Sequence, residues 1–325
     1  VKTLSLGLVV PAKYYELLKT NEPMYLFSPY DVEKIYNEPF AYIDLTEKYD
    51  EMVQNDQIKK YKISARELEQ EISKLQQESG YPYVINIDTA NRDNPIYGRV
   101  VMSNLCSEIL QVQSPSELNE DLSFKEVGHD ISCNLGSTNI TEMIRSENFE
   151  ESVDTAIRAL TSVSDRTSIQ AVPTVEKGNA AYNSIGLGAM GLHTALATNQ
   201  IHYGSKEAIE FTDAYFRALR FYALKSSNQI AKETDERFYE FEKSAYADGS
   251  YLKEKYIDQP EFTFEFETVE KIFENMPMPT VKDWEELNES IMEYGLYNAY
   301  LLAIAPTGSI SYINEASSSL HPVIN

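Results

Sequence analysis

Apolar and polar positions alternate between two periods along this chain. Val1–Val10, ending in the apolar run Leu8-Val9-Val10 and stopped by Pro11, reads as a buried strand. Residues 12–60 are polar, Tyr-rich and mixed, with no single dominant period. Ser64 then opens a helix. Glu67 stands three residues later, as a capping box requires. Leu68, Ile72 and Leu75 recur at helical spacing, and Gly80 ends the segment. Tyr83–Ile87 returns to a short strand. This strand–helix–strand order predicts a parallel sheet of the α/β class.

Further along, Arg99–Met102 is β-prone and leads into Ser103-Asn104-Leu105-Cys106-Ser107-Glu108. Residues 113–130 are acidic, contain Pro115 and Gly128, and read as an exposed loop. Asp130–Asn139, which contains Cys133, is strand-like. Helical patterns cover Phe149–Ser164, Ser205–Lys232, Glu267–Met276 and Val281–Tyr294. Leu301–Ala305 reads as a final strand running into Pro306-Thr307-Gly308-Ser309-Ile310-Ser311. Neither an internal repeat nor a linker breaks the sequence, so residues 1–325 are expected to form a single unit.

Charge narrows the possible partners. Lys and Arg total 28 against 51 Asp and Glu, a net charge of −23. Such a field repels DNA and RNA. It does not exclude small phosphates, which backbone N–H groups can hold without lysine. The chain is 42% hydrophobic and 24% charged, which is ordinary globular composition. Two cysteines, Cys106 and Cys133, do not make a disulfide framework, and a reducing cytoplasmic location is expected. Each is open to two readings, a buried packing thiol or a reactive one. No run approaches the ~20 apolar residues of a membrane span, and none resembles a signal peptide. Val1 already lies in a strand-like run without an initiating Met, so a cut N-terminus is expected.

Candidate chemistry is sparse. Gly186-Leu187-Gly188-Ala189-Met190-Gly191 matches G-x-G-x-x-G, but Glu176–Ser184 before it is not strand-like. The competing reading is close helix packing through small residues. His129, His193, His202 and His321 have no zinc-ligand spacing, and no metal site is expected. Pro306–Ser311 follows a hydrophobic strand with Gly, Ser and Thr, a turn whose backbone can approach an anion closely. Asn104, Cys106 and Glu108 alternate, so an extended backbone would set amide, thiol and carboxylate on one face. A carboxylate is costly in a core and useful as a base in a site.

These segments together resemble one family. Ser103–Ile109 resembles the radical-cysteine motif of class I ribonucleotide reductase large subunits. Asp130-Ile131-Ser132-Cys133-Asn134-Leu135-Gly136-Ser137 resembles a strand carrying one of that family's redox-active cysteines. Ala305–Ser311 resembles the substrate-phosphate loop of the class Ib form, and Gly186–Gly191 a helix-packing stretch of the family. The motifs lie in order along the whole chain.

The resemblance implies part of a ten-stranded α/β barrel that reduces ribonucleoside diphosphates to deoxyribonucleoside diphosphates. It implies that Cys106 becomes a thiyl radical, Glu108 accepts the 3′-hydroxyl proton, and Asn104 binds that end of the substrate. Leu105 and Ser107 would line the same site. Cys133 would be half of a reducing dithiol, and Pro306, Thr307, Gly308, Ser309 and Ile310 would hold the diphosphate. The implied partners are a radical-generating small subunit with a dimetal-tyrosyl centre, a glutaredoxin- or thioredoxin-like reductant, and a second copy in a homodimer. No cofactor is expected on this chain itself. The dithiol partner and an allosteric specificity loop would precede Val1. A tyrosine relay pair and a further cysteine pair would follow Asn325. On that basis the chain is expected to need those remaining segments for activity. The alternatives are a non-catalytic binding remnant and a different thiyl-radical reductase class, against which the Thr307-Gly308-Ser309-Ile310 wording argues.

Overall fold

The computed structural model describes residues 4–323. Packing gathers them into two compact units. One comprises the residues up to Asn94 together with Gly98–Val112; the other comprises Pro95–Tyr97 and the residues from Gln113 onward.

The first unit runs β1 (Gly7–Val10), α1 (Ala12–Thr20), β2 (Pro23–Phe27), α2 (Pro29–Tyr36), α3 (Leu45–Gln54), β3 (Lys60–Ser64), α4 (Ala65–Ser79), β4 (Tyr83–Asn86) and α5 (Ile87–Arg92). The expected parallel pairing forms, with β1 against β4 from Gly7↔Tyr83 to Val10↔Asn86. Residues 1–3 of the expected first strand lie outside the described residues. The remainder is not a buried strand, since Val10 is buried and Val9 is 38% exposed. Helix α4 starts and stops where expected. The Ser64 side chain accepts from Glu67 N–H at its start, and Gly80, at φ 77°, closes it. Ile72 is buried, whereas Leu75 faces out.

Residues 12–60, which show no single period in sequence, fold into three short helices and the strand β2, which pairs antiparallel with β3 across the two helices between them. Two of the helices are set by side-chain caps rather than by long apolar stripes. Ser28 caps α2, which has Pro29 in its first turn, and Asp44 caps α3. Val10, Tyr14, Leu17, Tyr49 and Ala65 form one core cluster, and Val32, Ile43, Met52 and Ile58 another. Arg99–Met102 is not a strand. The Asn91 side chain takes the place of a neighbouring strand at Val100. It accepts from the Val100 N–H and donates to its carbonyl, both at 2.9 Å.

The second unit runs β5 (Glu117–Leu118), β6 (Phe124–Glu126), β7 (Leu135–Asn139), α6 (Ile140–Arg145), α7 (Phe149–Arg166), α8 (Pro173–Tyr182), β8 (Gly186–Met190), α9 (Leu192–Thr198), α10 (Lys206–Thr234), α11 (Ser250–Leu252), α12 (Glu267–Ile272), α13 (Val281–Tyr294) and α14 (Ile310–Ile313). The expected exposed loop at 113–130 is exposed but contains the β5–β6 hairpin, tied at its base by a Ser114–His129 bridge. Helices α7, α10 and α13 lie where the periodicity places them. α10 buries Phe211, Tyr215, Leu219 and Leu224, and α13 buries Trp284, Leu287 and Ile291.

The glycine run corrects one expectation. Gly186–Met190 is a fully buried strand, not a helix-packing stretch. β8 pairs in parallel with β7 from Leu135↔Gly186 to Asn139↔Met190. On its other side it meets the 301–303 segment, with Ile185 N–H donating to Tyr300 O and Leu187 N–H to Leu301 O. A Cβ on Gly188 would lie 2.2 Å from the Ala303 carbonyl oxygen, and one on Gly186 would lie 2.8 Å from Ala303 Cβ. Glycine is needed here because backbones approach closely, not because a cofactor phosphate does. Leu301–Ala305 follows β8 in parallel but forms only an isolated bridge, Leu187↔Leu302, rather than the full strand expected. Pro306, just beyond it, has no N–H with which to extend a ladder.

Candidate functional site

Asn104–Ser107 forms a tight turn in the first unit. Ser107 N–H donates to Asn104 O at 3.1 Å, and Ser107 sits at φ 66°, in the left-handed region. The extended backbone that would align Asn104, Cys106 and Glu108 on one face is therefore not what forms. A local hydrogen-bond cage overrides the alternation. Asn104 Oδ1 accepts from Ile109 N–H at 3.0 Å, and Ser103 Oγ donates to Ile109 O at 2.7 Å. These bonds clamp the two ends of the turn and leave its tip outward. Leu105 is 68% exposed and Cys106 is exposed. Ser107 and Glu108 are half-buried.

Glu108 is the unusual member. Its Oε2 is buried and has no hydrogen-bond partner. An unsatisfied buried carboxylate oxygen costs about 1–3 kcal/mol or more. The fold leaves this oxygen as an unused acceptor beside the turn. The turn thus joins an exposed thiol, an amide whose oxygen is already engaged, and an unengaged carboxylate oxygen.

Cys133 lies in the second unit, just before β7, and is also exposed. Its neighbours are anchored on both sides. Ser132 Oγ donates to Asn179 Oδ1 at 3.1 Å, and Asn134 Nδ2 donates to Leu160 O at 2.7 Å. Neither cysteine is in a disulfide.

The Pro306–Ile310 loop is held from beneath. Thr307 is buried, and its Oγ1 accepts from Ser319 N–H at 2.6 Å. Ser311 N–H donates to Thr307 O at 3.0 Å. Gly308, Ser309 and Ile310 face outward, and a Cβ on Gly308 would meet nothing within 4 Å. Their N–H groups find no acceptor among the described residues. The loop follows the segment paired with β8, whereas Cys133 precedes β7, so they lie toward opposite ends of this parallel layer.

The loop has a support that the sequence reading passes over. Ser317 and Ser319 carbonyls both accept from Gly191 N–H, at 2.9 and 3.1 Å, and Thr194 Oγ1 accepts from Ser317 N–H at 2.8 Å. The Ser317-Ser318-Ser319 run just downstream is the available signal. Two of the histidines have structural contacts. His129 Nδ1 is 2.8 Å from Ser114 Oγ, with its ring against Tyr182 and Tyr239, and His193 Nδ1 accepts from Val323 N–H. Burial, first, and Lys177 hold the His129 pKa below the usual histidine value. Among the described residues, no group of three or more His, Cys, Asp or Glu side chains is placed to hold a metal ion. No helix there is long and apolar enough to cross a membrane.

Comparison with known proteins supplies what geometry alone does not. The model of the ribonucleotide reductase barrel domain matches residues 1–325. The chain belongs to this ribonucleotide reductase family. It is 48% identical over its whole length to a ribonucleoside-diphosphate reductase subunit alpha of Mycoplasma pneumoniae, covering 46% of that protein. It is 41% identical to the corresponding Bacillus subtilis subunit, again over its whole length and 46% of the relative. A similar subunit of Bacillus phage SPbeta is 40% identical over 76% of the chain and 23% of the relative. The chain thus spans under half the length of these reductase relatives.

Proposed function

We propose that this chain is the central part of a class Ib ribonucleoside-diphosphate reductase large subunit, forming much of its ten-stranded barrel. The observation that carries the reading is the Asn104–Glu108 turn, which combines an exposed thiol with a buried, unengaged carboxylate oxygen. Cys106, as a thiyl radical, takes the 3′ hydrogen atom of the ribose and becomes a thiol. Glu108 accepts the 3′-hydroxyl proton, help worth about 10²–10⁴-fold in rate. Asn104 orients that hydroxyl, with Leu105 and Ser107 alongside.

The 2′ oxygen leaves as water. Cys133 and a second cysteine outside this chain supply the two electrons and end as a disulfide, and Cys106 returns the hydrogen atom to the 3′ carbon. The N–H groups of Gly308, Ser309 and Ile310 and the Ser309 hydroxyl bind the diphosphate after Pro306, on a loop that the buried Thr307 side chain anchors. The radical comes from a small subunit with a dimetal-tyrosyl centre, and a glutaredoxin- or thioredoxin-like protein re-reduces the disulfide. The working assembly is a cytoplasmic homodimer completed by the large-subunit segments outside this sequence.

Reconstitution tests the reading. The chain, joined to those segments and mixed with a class Ib radical-generating subunit and a dithiol, is expected to convert CDP to dCDP. A folded, associated complex that binds CDP but makes no dCDP would instead favour a non-catalytic binding remnant.

A further inference from the structure

Helix α9 begins without a cap of its own. Its N-cap is Gly191, at φ 84°, which has no side chain to accept from the first-turn N–H groups. A segment far along the chain meets those groups instead. Gly191 N–H donates to the Ser317 and Ser319 carbonyls, at 2.9 and 3.1 Å. Thr194 N–H donates to Ser317 Oγ at 3.1 Å, and Ser317 N–H donates back to Thr194 Oγ1 at 2.8 Å. This is the reciprocal exchange of a capping box, made between residues 123 positions apart.

The strap that supplies the cap, Asn314–Ser319, also holds the Pro306–Ile310 loop. It lies across the ends of two strands. Asn139, the last residue of β7, donates from Nδ2 to Asn314 O at 3.1 Å. A Cβ on Gly191, just after β8, would lie 3.1 Å from Ala316 Cβ. Ser319 is buried and sits at φ 49°, a region that residues with a side chain seldom adopt. Bonds on both sides keep it there, from Gly191 N–H to its carbonyl and from its own N–H to Thr307 Oγ1 at 2.6 Å. Ala316 N–H donates to Ser311 O at 3.0 Å. Thr307 and Ser311, which bracket Gly308, Ser309 and Ile310, are therefore both bonded to the strap.

Hydrogen bonds to an anion are short and directional, so a loop that holds one must aim its N–H groups together. We propose that Thr194 and Ser317 are positioning residues for the diphosphate. Their reciprocal pair fixes the strap, the strap fixes Thr307 and Ser311, and these two set the aim of the N–H groups between them. The proposal rests on the reading of this loop as the diphosphate site.

The test follows CDP reduction by the complete large subunit, with the radical-generating subunit, over a range of CDP concentrations. Thr194→Val keeps the side-chain shape and removes the acceptor of Ser317 N–H. The expected result is a KM for CDP raised about three- to tenfold, the worth of one hydrogen bond, with kcat within about twofold of the parent. Thr194→Ser, which keeps the hydroxyl, is expected to restore the parental KM. Ser317→Ala breaks the pair from the other side and is expected to raise KM alike, so it carries the test if Thr194→Val does not fold. A role confined to stability would lower kcat through loss of folded enzyme and leave KM unchanged, which would overturn the proposal. Parental KM and kcat in both variants would overturn it too.

Gly308→Asp separates this proposal from the reading beneath it. It sets a carboxylate on the open side of the loop, where a Cβ meets nothing within 4 Å. A raised KM in Gly308→Asp with parental KM in Thr194→Val and Ser317→Ala would overturn this proposal alone. A parental KM in Gly308→Asp would overturn the diphosphate reading of the loop, and this proposal with it. Isothermal titration of the same proteins with CDP gives the same comparison as dissociation constants, independently of turnover.

Discussion

The turn at Asn104–Glu108 and the loop at Pro306–Ile310 are built by opposite means. In the turn, polar side chains fix the backbone, and the chemistry is displayed by the side chains left over, the Cys106 thiol and the Glu108 carboxylate. In the loop, the side chain of Thr307 is buried as an anchor, and what faces outward is backbone N–H. A group that reacts must be a particular side chain, whereas a group that holds phosphate can be any residue that leaves its N–H uncovered. Substitution should therefore be catastrophic for chemistry at the turn. At the loop it should be graded and felt in binding.

Breaking the turn gives the largest effects. Cys106→Ser is expected to take CDP reduction to background while leaving CDP affinity within a factor of about two, well under one 1.4 kcal/mol decade. Glu108→Gln keeps the shape and removes the base, so dCDP formation should fall about 10²–10⁴-fold. An isothermal titration of CDP on that variant should match the parent, which would separate lost chemistry from lost binding.

Structural substitutions sharpen the contrast. Gly188→Ala pushes a methyl against the Ala303 carbonyl in the layer leading to the loop. Overpacking of this kind costs about 1–3 kcal/mol or more, readable as a lower denaturation midpoint. Thr307→Ala removes the acceptor of the buried Ser319 N–H and is expected to cost about 1–3 kcal/mol in stability and to weaken CDP binding. Thr307→Ser, which retains the hydroxyl, should recover most of both.

The smallest expected effect is at His129. Burial holds its folded pKa below the unfolded value of about 6.5, so the unfolded chain binds the extra proton first. Its contribution to stability is present above that pH and is lost as pH falls through the histidine range. Replacing His129 with Asn should flatten the stability–pH curve below about pH 6.5. A curve unchanged in slope would remove His129 as the cause.

How much of this was legible in the sequence depended on which force set each segment. Long amphipathic helices were legible because burial repeats every turn, as at Phe149, Val153 and Ile157 in α7. The parallel β1–β4 pair was legible from order alone. Arg99–Met102 was not, because a distant side chain, Asn91, supplies the hydrogen bonds that a strand neighbour would. The glycine run misled because G-x-G spacing looks alike whether it admits a helix, a phosphate or an adjoining strand. Only Ala303, over a hundred residues away, decides the matter. At the site, the residue types of the turn were readable but its shape was not, since the alternation of Asn104, Cys106 and Glu108 yields to the Ser103–Ile109 clamp. The Ser317–Ser319 support was missed because it acts through main-chain carbonyls and N–H groups, which carry little mark in the sequence.

The most direct measurement of the central claim is CDP-to-dCDP turnover by the completed large subunit carrying Cys106→Ser, with CDP binding followed in the same sample. The expected result is CDP bound as tightly as by the parent and no dCDP formed. Turnover persisting in that variant would contradict the assignment of the exposed turn as the reacting centre.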